Sequence, residues 1–162
     1  MLSNRIKNKD KIKLIVSDFD GVFTDGCVYI SEDHKESKKI NFKDIMGVSI
    51  AIKNGYKVVI ISGEKTAAID FLQRKFVGLE SFQGIRVKAD VLLKVMEKYS
   101  LNPEEVIYIG DDINDIDCLN IVDNAFTVSD AVEKVKKVKK INILEAKSGE
   151  GAFREVLDYL VE

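Results

Sequence analysis

Lys13-Leu14-Ile15-Val16-Ser17-Asp18-Phe19-Asp20-Gly21 is the stretch that decides the fold. Its first five residues form a short, β-branched apolar run, and an acidic turn follows at once. A run with no polar alternation suits a strand covered on both faces, as in a parallel sheet, better than a strand with one wet side. The same form recurs twice. Lys57-Val58-Val59-Ile60-Ile61 ends at Ser62-Gly63, and Val106-Ile107-Tyr108-Ile109 ends at Gly110-Asp111-Asp112.

Helical patterns separate these runs. Val48, Ala51 and Ile52 share a face, and Gly55 follows as a natural stop. Glu64 to Phe76 carries Ala67, Ala68, Phe71 and Leu72 at helical spacing, and Lys88 to Tyr99 carries a stripe of Val91, Leu92, Val95, Met96 and Tyr99. Asn102-Pro103-Glu104-Glu105 has the cap, the early proline and the first-turn acids of a helix start. A short helix is predicted after Asn114, a strand at Ala125 to Val128, a helix from about Asp130 and a last one from about Glu150. One piece breaks the alternation: Val28-Tyr29-Ile30 and Lys39-Ile40-Asn41-Phe42 flank a polar turn, which predicts a β-hairpin over about residues 27–43. With no internal repeat, no linker and a single proline, residues 1–162 read as one α/β domain, a parallel sheet flanked by helices with a hairpin inserted after the first strand.

Composition narrows the function classes. Twenty-five basic residues against 27 acidic ones leave a net charge of −2, so no global field draws in nucleic acid or an anionic membrane. The run Lys134, Lys136, Lys137, Lys139 and Lys140 is interleaved with Val132, Val135 and Val138 at helical spacing and with no aromatic residue, so it reads as a solvated helix face. Cys27 and Cys118 stand far apart and form no CxxC pair, which fits reduced thiols in a cytoplasmic protein. No apolar run approaches the length of a membrane span or a signal peptide. His34, the only histidine, lies in a polar turn, away from any motif that would use it as a nucleophile's base.

The chemistry collects just past the strands. In a parallel α/β sheet the carboxyl ends of the strands open on one crevice. That edge would gather Asp18 and Asp20, Ser62 and Gly63, then Asp111 and Asp112 with Asp115 one turn on; Lys88, at a helix start, can reach it too. Carboxylates crowded together repel unless a cation neutralises them, and hard oxygen donors suit Mg²⁺. The Ser62 hydroxyl, the Lys88 ammonium and backbone N–H groups near Gly63 are donors to phosphate oxygens. Phosphoryl transfer needs little beyond positioning and charge neutralisation, with one carboxylate as nucleophile and a second as proton carrier.

Asp18-Phe19-Asp20-Gly21-Val22-Phe23-Thr24-Asp25-Gly26, Ser62, Lys88 and Gly110-Asp111-Asp112-Ile113-Asn114-Asp115 together resemble the haloacid dehalogenase (HAD) superfamily of phosphatases, over nearly the whole chain after residue 12 and with the motifs in order. The resemblance implies a HAD-like Rossmannoid sheet. It implies Asp18 as nucleophile and Asp20 as general acid and base, with Mg²⁺ held by Asp18, the Asp20 carbonyl and Asp111. Asp112 and Asp115 would support the metal site, and Ser62, Gly63 and Lys88 would hold the phosphoryl group. Thr24-Asp25-Gly26, the hairpin, Phe82-Gln83-Gly84 and Gly149-Glu150-Gly151-Ala152-Phe153-Arg154-Glu155 are similar to the capless subgroup that acts on 3-deoxy sugar-acid phosphates. In that subgroup the hairpin builds a homotetramer, and a neighbour's tail, here Glu150 to Arg154, closes the site. Thr24 and Glu64 are the positions implied for substrate specificity. Glu64, where octulosonate 8-phosphate phosphatases carry Arg, resembles the nonulosonate 9-phosphate branch; the eight-carbon acid is the alternative substrate. The chain departs from the subgroup at Asp44-Ile45, where Asp-Gly is usual.

Plainer readings exist for single residues. Glu64 can be a first-turn acid of a helix, Thr24 can satisfy the hairpin base, and Arg154 can be a helix surface residue. A non-enzymatic alternative is a phospho-accepting receiver or a scaffold that keeps the site. A receiver would carry its acid pair first and its lysine late beside a proline, whereas here Lys88 stands well before the only proline, Pro103.

Overall fold

A computed structural model describes residues 5–162. Six parallel strands form one sheet in the order β5-β4-β1-β6-β7-β8. The chain enters at β1 (Leu14–Ser17), at the centre. It then forms a two-stranded antiparallel hairpin, β2 (Tyr29–Ile30) and β3 (Glu36–Ser37), outside the main sheet. Helix α1 (Phe42–Lys53) returns the chain to β4 (Lys57–Ile61), and α2 (Ala67–Lys75) leads to β5 (Leu79–Phe82) at one edge. Helix α3 (Lys88–Lys98) crosses back to β6 (Val106–Ile109) on the other side of β1. Then come α4 (Ile116–Ile121), β7 (Asn124–Thr127), α5 (Glu133–Lys136), β8 (Asn142–Ile143) and α6 (Ala152–Val161).

The strand order reverses between β1 and β6, and a crevice opens there at the carboxyl ends of the strands. Every residue of β1, β6 and β7 is buried, so both faces of the sheet centre are covered. Helix α1 packs on α6 and α3 packs on α4, which supplies that cover. No described helix is long and apolar enough to cross a membrane.

Several boundaries correct the sequence reading. The hairpin pairs Tyr29 with Ser37 and Ile30 with Glu36, so its second strand lies earlier than Lys39 to Phe42. Asn41 caps α1 by accepting from the Lys43 N–H at 2.9 Å, and Phe42 opens the helix. A helix cap thus overrides the strand propensity of Asn41-Phe42, while Ile40 keeps an antiparallel bridge to Thr24. The helix expected from Glu64 starts at Ala67, because the Thr66 side chain caps it. The one expected near Asp130 is only Glu133–Lys136, since Asp130 instead accepts from the Ser148 N–H at 2.8 Å. In the lysine run Val135 is buried while Lys134, Lys137, Lys139 and Lys140 are exposed, so the run is solvated as expected, but only Lys134 and Lys136 stand on a helix and the rest follow its end. Strands β5 and β8 carry no strand signal in the sequence; both are sheet edges, where one neighbour and partial burial relax the need for an apolar run.

Candidate active site

Asp18 follows β1 directly, and its N–H donates to the Ile109 carbonyl at 2.9 Å, which fixes it between β1 and β6. One carboxylate oxygen accepts from the Phe19 N–H at 2.6 Å, and the other lies 2.8 Å from Lys88 Nζ. Lys88, the first residue of α3, is only 1% exposed. Its ammonium also meets Asp115 at 2.9 Å, so it lies beneath the crevice as a wedge between two buried carboxylates. Burial pulls that ammonium down, but the two carboxylates outweigh burial and hold it above the usual lysine range. Burial, then the Asp115 charge, pushes the Asp18 carboxyl well above the usual carboxylate range.

Asp115 is saturated. Oδ1 accepts from Lys88 and from the Tyr108 hydroxyl at 2.8 Å, and Oδ2 accepts from the Asp111 and Asp112 N–H groups at 3.0 and 3.3 Å. Asp112 caps the short helical turn Ile113–Asp115. Asp111 stands opposite Asp18, and burial followed by the Asp115 and Asp112 charges pushes its carboxyl up to about 7. Asp111 Oδ1 is buried and has no hydrogen-bond partner among the described residues.

These donors fit a cation. Asp18, Asp111 and Asp115 each place a carboxylate oxygen within 4.8 Å of the others. Since both oxygens of Asp115 are already taken, the oxygens left to a metal are those of Asp18 and the orphaned Oδ1 of Asp111. Asp115 then orients its neighbours through their backbone N–H groups. The approach is close: a Cβ on Gly21, whose φ is +83°, would lie 1.9 Å from Asp111 Oδ2.

A cavity of about 210 Å³ lies above, lined by Asp18, Asp20, Ser62, Gly63, Asp111 and Asn114 among others. The Ser62 oxygen accepts from the Glu64 N–H at 3.2 Å, which leaves its hydrogen to donate. A second cavity of about 390 Å³ shares Asp20, Gly26 and Glu64 with the first and runs out beneath the hairpin to Lys38 and Lys65. Glu64 is exposed on the wall of both, in the turn before α2 and outside that helix.

Asp18, Asp20, Ser62, Gly63, Glu64, Asp111 and Asp112 therefore meet at one crevice, with Lys88 and Asp115 under it. Thr24 differs from expectation. It is fully buried and donates to Asp20 Oδ1 at 3.1 Å, so its hydroxyl holds a neighbour and has no surface for substrate. The tail lies against its own chain. Gly149 N–H donates to the chain's own Val22 carbonyl at 3.0 Å, and the Arg154 guanidinium meets Asp158 at 2.6 Å, so this segment is docked on its own chain. Asp44 is buried, accepts from the Arg154 N–H at 3.0 Å and lines neither cavity, a packing role. His34 is exposed. Lys38, Tyr108 and Asn114 also belong to the site, and the sequence pattern alone assigns none of them a role. Tyr108 carried the one usable signal, a hydroxyl in an otherwise aliphatic buried strand, which needs a polar partner.

Comparison with known proteins agrees with this geometry. Two family models, both described as haloacid dehalogenase-like hydrolase, match residues 28–120 and 86–155. The chain belongs to the haloacid dehalogenase-like hydrolases. Within that family it is 30% identical over 160 residues to the 3-deoxy-D-manno-octulosonate 8-phosphate phosphatase of Escherichia coli K12, across 96% of this chain and 82% of the relative. A probable yrbi family phosphatase from Pseudomonas syringae is 36% identical with a TM-score of 0.90, over 99% of this chain and 89% of that one. The cobalt-bound deoxy-D-mannose-octulosonate 8-phosphate phosphatase of Haemophilus influenzae is 26% identical with a TM-score of 0.87, over 96% and 90%. The expected HAD-like sheet, with a hairpin after the first strand and no cap domain, is the fold this chain has.

Proposed function

We propose that this hydrolase removes phosphate from a 2-keto-3-deoxy sugar-acid phosphate through an aspartyl-phosphate on Asp18. One observation carries the reading: the Asp18 carboxylate is braced by Lys88 from beneath, while Asp20 stands on the cavity wall and Asp111 offers an unpartnered oxygen opposite. An oxygen of Asp18 attacks phosphorus as the bond from phosphorus to the sugar oxygen breaks. Asp20 protonates the departing oxygen, then takes a proton from the water that attacks the aspartyl-phosphate. Phosphate leaves and the Asp18 carboxylate returns. Ser62 and the backbone at Gly63 hold the phosphoryl oxygens in line, while Lys88, expected to join them, lies beneath the cavity, keeps Asp18 and Asp115 in register and offsets phosphoryl charge from there. Mg²⁺ is the proposed metal, held by Asp18, the Asp20 carbonyl and Asp111 with Asp112 and Asp115 in support; when bound it neutralises charge on the phosphoryl oxygens.

The eight-carbon acid is supported by the names of the curated relatives, and the nine-carbon acid by Glu64, an exposed acceptor for sugar hydroxyls on both cavity walls. The ratio of kcat/KM on the two substrates decides between them. A homotetramer in the cytoplasm is part of the proposal, supported by exposed Val28, Tyr29 and Ile30 on the hairpin and Phe42 and Met46 on α1. The deciding test is phosphate release in the presence of Mg²⁺. Asp18→Asn should lower kcat/KM by about 1,000-fold or more while the fold survives. An Asp18→Asn variant with normal turnover removes the nucleophile.

A further inference from the structure

We infer that Lys38 is a positioning residue for proton transfer: with Thr24 it clamps both oxygens of Asp20 and so ties the β2–β3 hairpin to the chemistry. The inference rests on the phosphatase reading and adds to it a residue that no motif named.

Lys38 directly follows β3 and differs from its neighbours. Its side chain is 9% exposed, against 82% for Lys35 and 64% for Lys39. The other two reach into solvent from the same short hairpin, whereas Lys38 turns inward and places Nζ 2.7 Å from Asp20 Oδ2. A lysine gives up rotamer freedom and hydration to do this, and a carboxylate partner offsets that cost.

The other oxygen is fixed just as firmly. Thr24 Oγ1 accepts from the Gly21 N–H at 3.3 Å and the Gly26 N–H at 3.2 Å. With both lone pairs engaged, its one hydrogen points to Asp20 Oδ1 at 3.1 Å. Donors on both oxygens stop the carboxylate from turning about its terminal bond. Asp20 itself lines both cavities, at the place where they meet.

Two consequences follow. Proton transfer to a leaving oxygen depends on aim, and this clamp sets the aim. The clamp also completes the charge pattern. Lys88 offsets Asp18 and Asp115 from beneath, and Lys38 offsets Asp20 at the rim, where an incoming phosphomonoester would otherwise meet an unbalanced carboxylate.

A double-mutant cycle tests this on the whole protein with Mg²⁺. Wild type, Lys38→Met, Asp20→Asn and the double variant are assayed for kcat/KM, which reports transfer to Asp18. One substrate is the eight-carbon sugar-acid phosphate, whose alkoxide needs a proton. The other is 4-nitrophenyl phosphate, whose leaving group does not. Lys38→Met should lose about 30-fold or more on the sugar phosphate but only a few-fold on the aryl phosphate, the pattern of impaired general acid catalysis. In the Asp20→Asn background the same change should cost about 3-fold or less, because a residue acting through Asp20 has nothing left to act on. Lys38→Arg should recover part of the loss. Equal losses on both substrates, or additive losses in the cycle, overturn the inference while leaving an active phosphatase. A wild type without turnover removes the underlying reading and the inference with it. Thermal melts show whether each variant folds; if Lys38→Met does not, Lys38→Gln, which drops the charge, runs through the same cycle.

Discussion

Two residues away from the reacting oxygens show how tightly the site is built. Gly21 has φ +83° and no room for a side chain, since Asp111 Oδ2 would sit 1.9 Å from a Cβ there. Gly21→Ala should cost about 1–3 kcal/mol in backbone strain and displace the Asp111 carboxylate. Metal titration should then show weaker binding, and urea denaturation a lower midpoint. Asp44 is a different case. Its Oδ2 is buried without a partner among the described residues, and burial pushes the carboxyl from the ordinary 3.8 up to about 6, despite the N–H groups of Arg154, Phe153 and Gly151 that favour the charged form. Between those pH values the folded chain keeps a proton that the unfolded chain has lost. The contribution of this group to stability is therefore full below pH ~4 and declines as pH rises to ~6, by on the order of 2–3 kcal/mol. Asp44→Asn has no such titration. Its unfolding free energy should gain on wild type as pH is raised from 4 to 7, and parallel curves would refute the assignment.

At the scale of elements, the loop after β1 is held by the last helix. Phe19 stacks on Phe23 with centroids 5.6 Å apart, and Phe23 meets Phe153 of α6 at 5.0 Å. Gly47 lets α1 and α6 approach, since a Cβ there would lie 3.1 Å from the Phe153 ring and 3.3 Å from Arg154 Cα. A glycine inside a helix costs about 1 kcal/mol, which the close packing of two helices offsets. Phe153→Ala should destabilise the protein by about 3–5 kcal/mol through the cavity it leaves. It should also lower kcat/KM at temperatures where the variant stays folded, because the loop carrying Asp18 and Asp20 loses its support. Guanidinium unfolding and steady-state kinetics on one preparation separate the two effects.

For the whole molecule, the crevice at the strand reversal couples ligand binding to folding. Asp18, Lys88 and Asp111 come from segments that are apart in an unfolded chain, so Mg²⁺ with phosphate should bind the native state alone. At 100 times the dissociation constant such binding adds about 2.7 kcal/mol, read as a raised melting temperature that chelator reverses together with activity. The exposed apolar residues of the hairpin and α1 bear on assembly. Sedimentation should give four chains per particle, and Ile30→Lys with Phe42→Lys, at positions 63% and 83% exposed in the single chain, should shift it toward the monomer. A wild type that sediments as a monomer would refute the tetramer.

By itself the sequence determined the three central strands, the acids at their ends and thereby the family. Runs such as Leu14-Ile15-Val16 and Val106-Ile107-Tyr108-Ile109 declare a doubly covered strand through composition alone, and a strand's end locates the next residue without further information. Only the tertiary structure decided the rest. Edge strands Leu79–Phe82 and Asn142–Ile143 are too lightly buried to need a distinctive pattern, and Asn41 turned the end of the expected second hairpin strand into a helix start, leaving Ile40 in a single bridge to Thr24. Lys38 with Asp20 and Lys88 with Asp115 are pairs separated by 18 and 27 residues. Backbone preference acts over a few neighbouring residues, whereas such a pair forms only when packed helices and a hairpin have fixed where each chain segment returns.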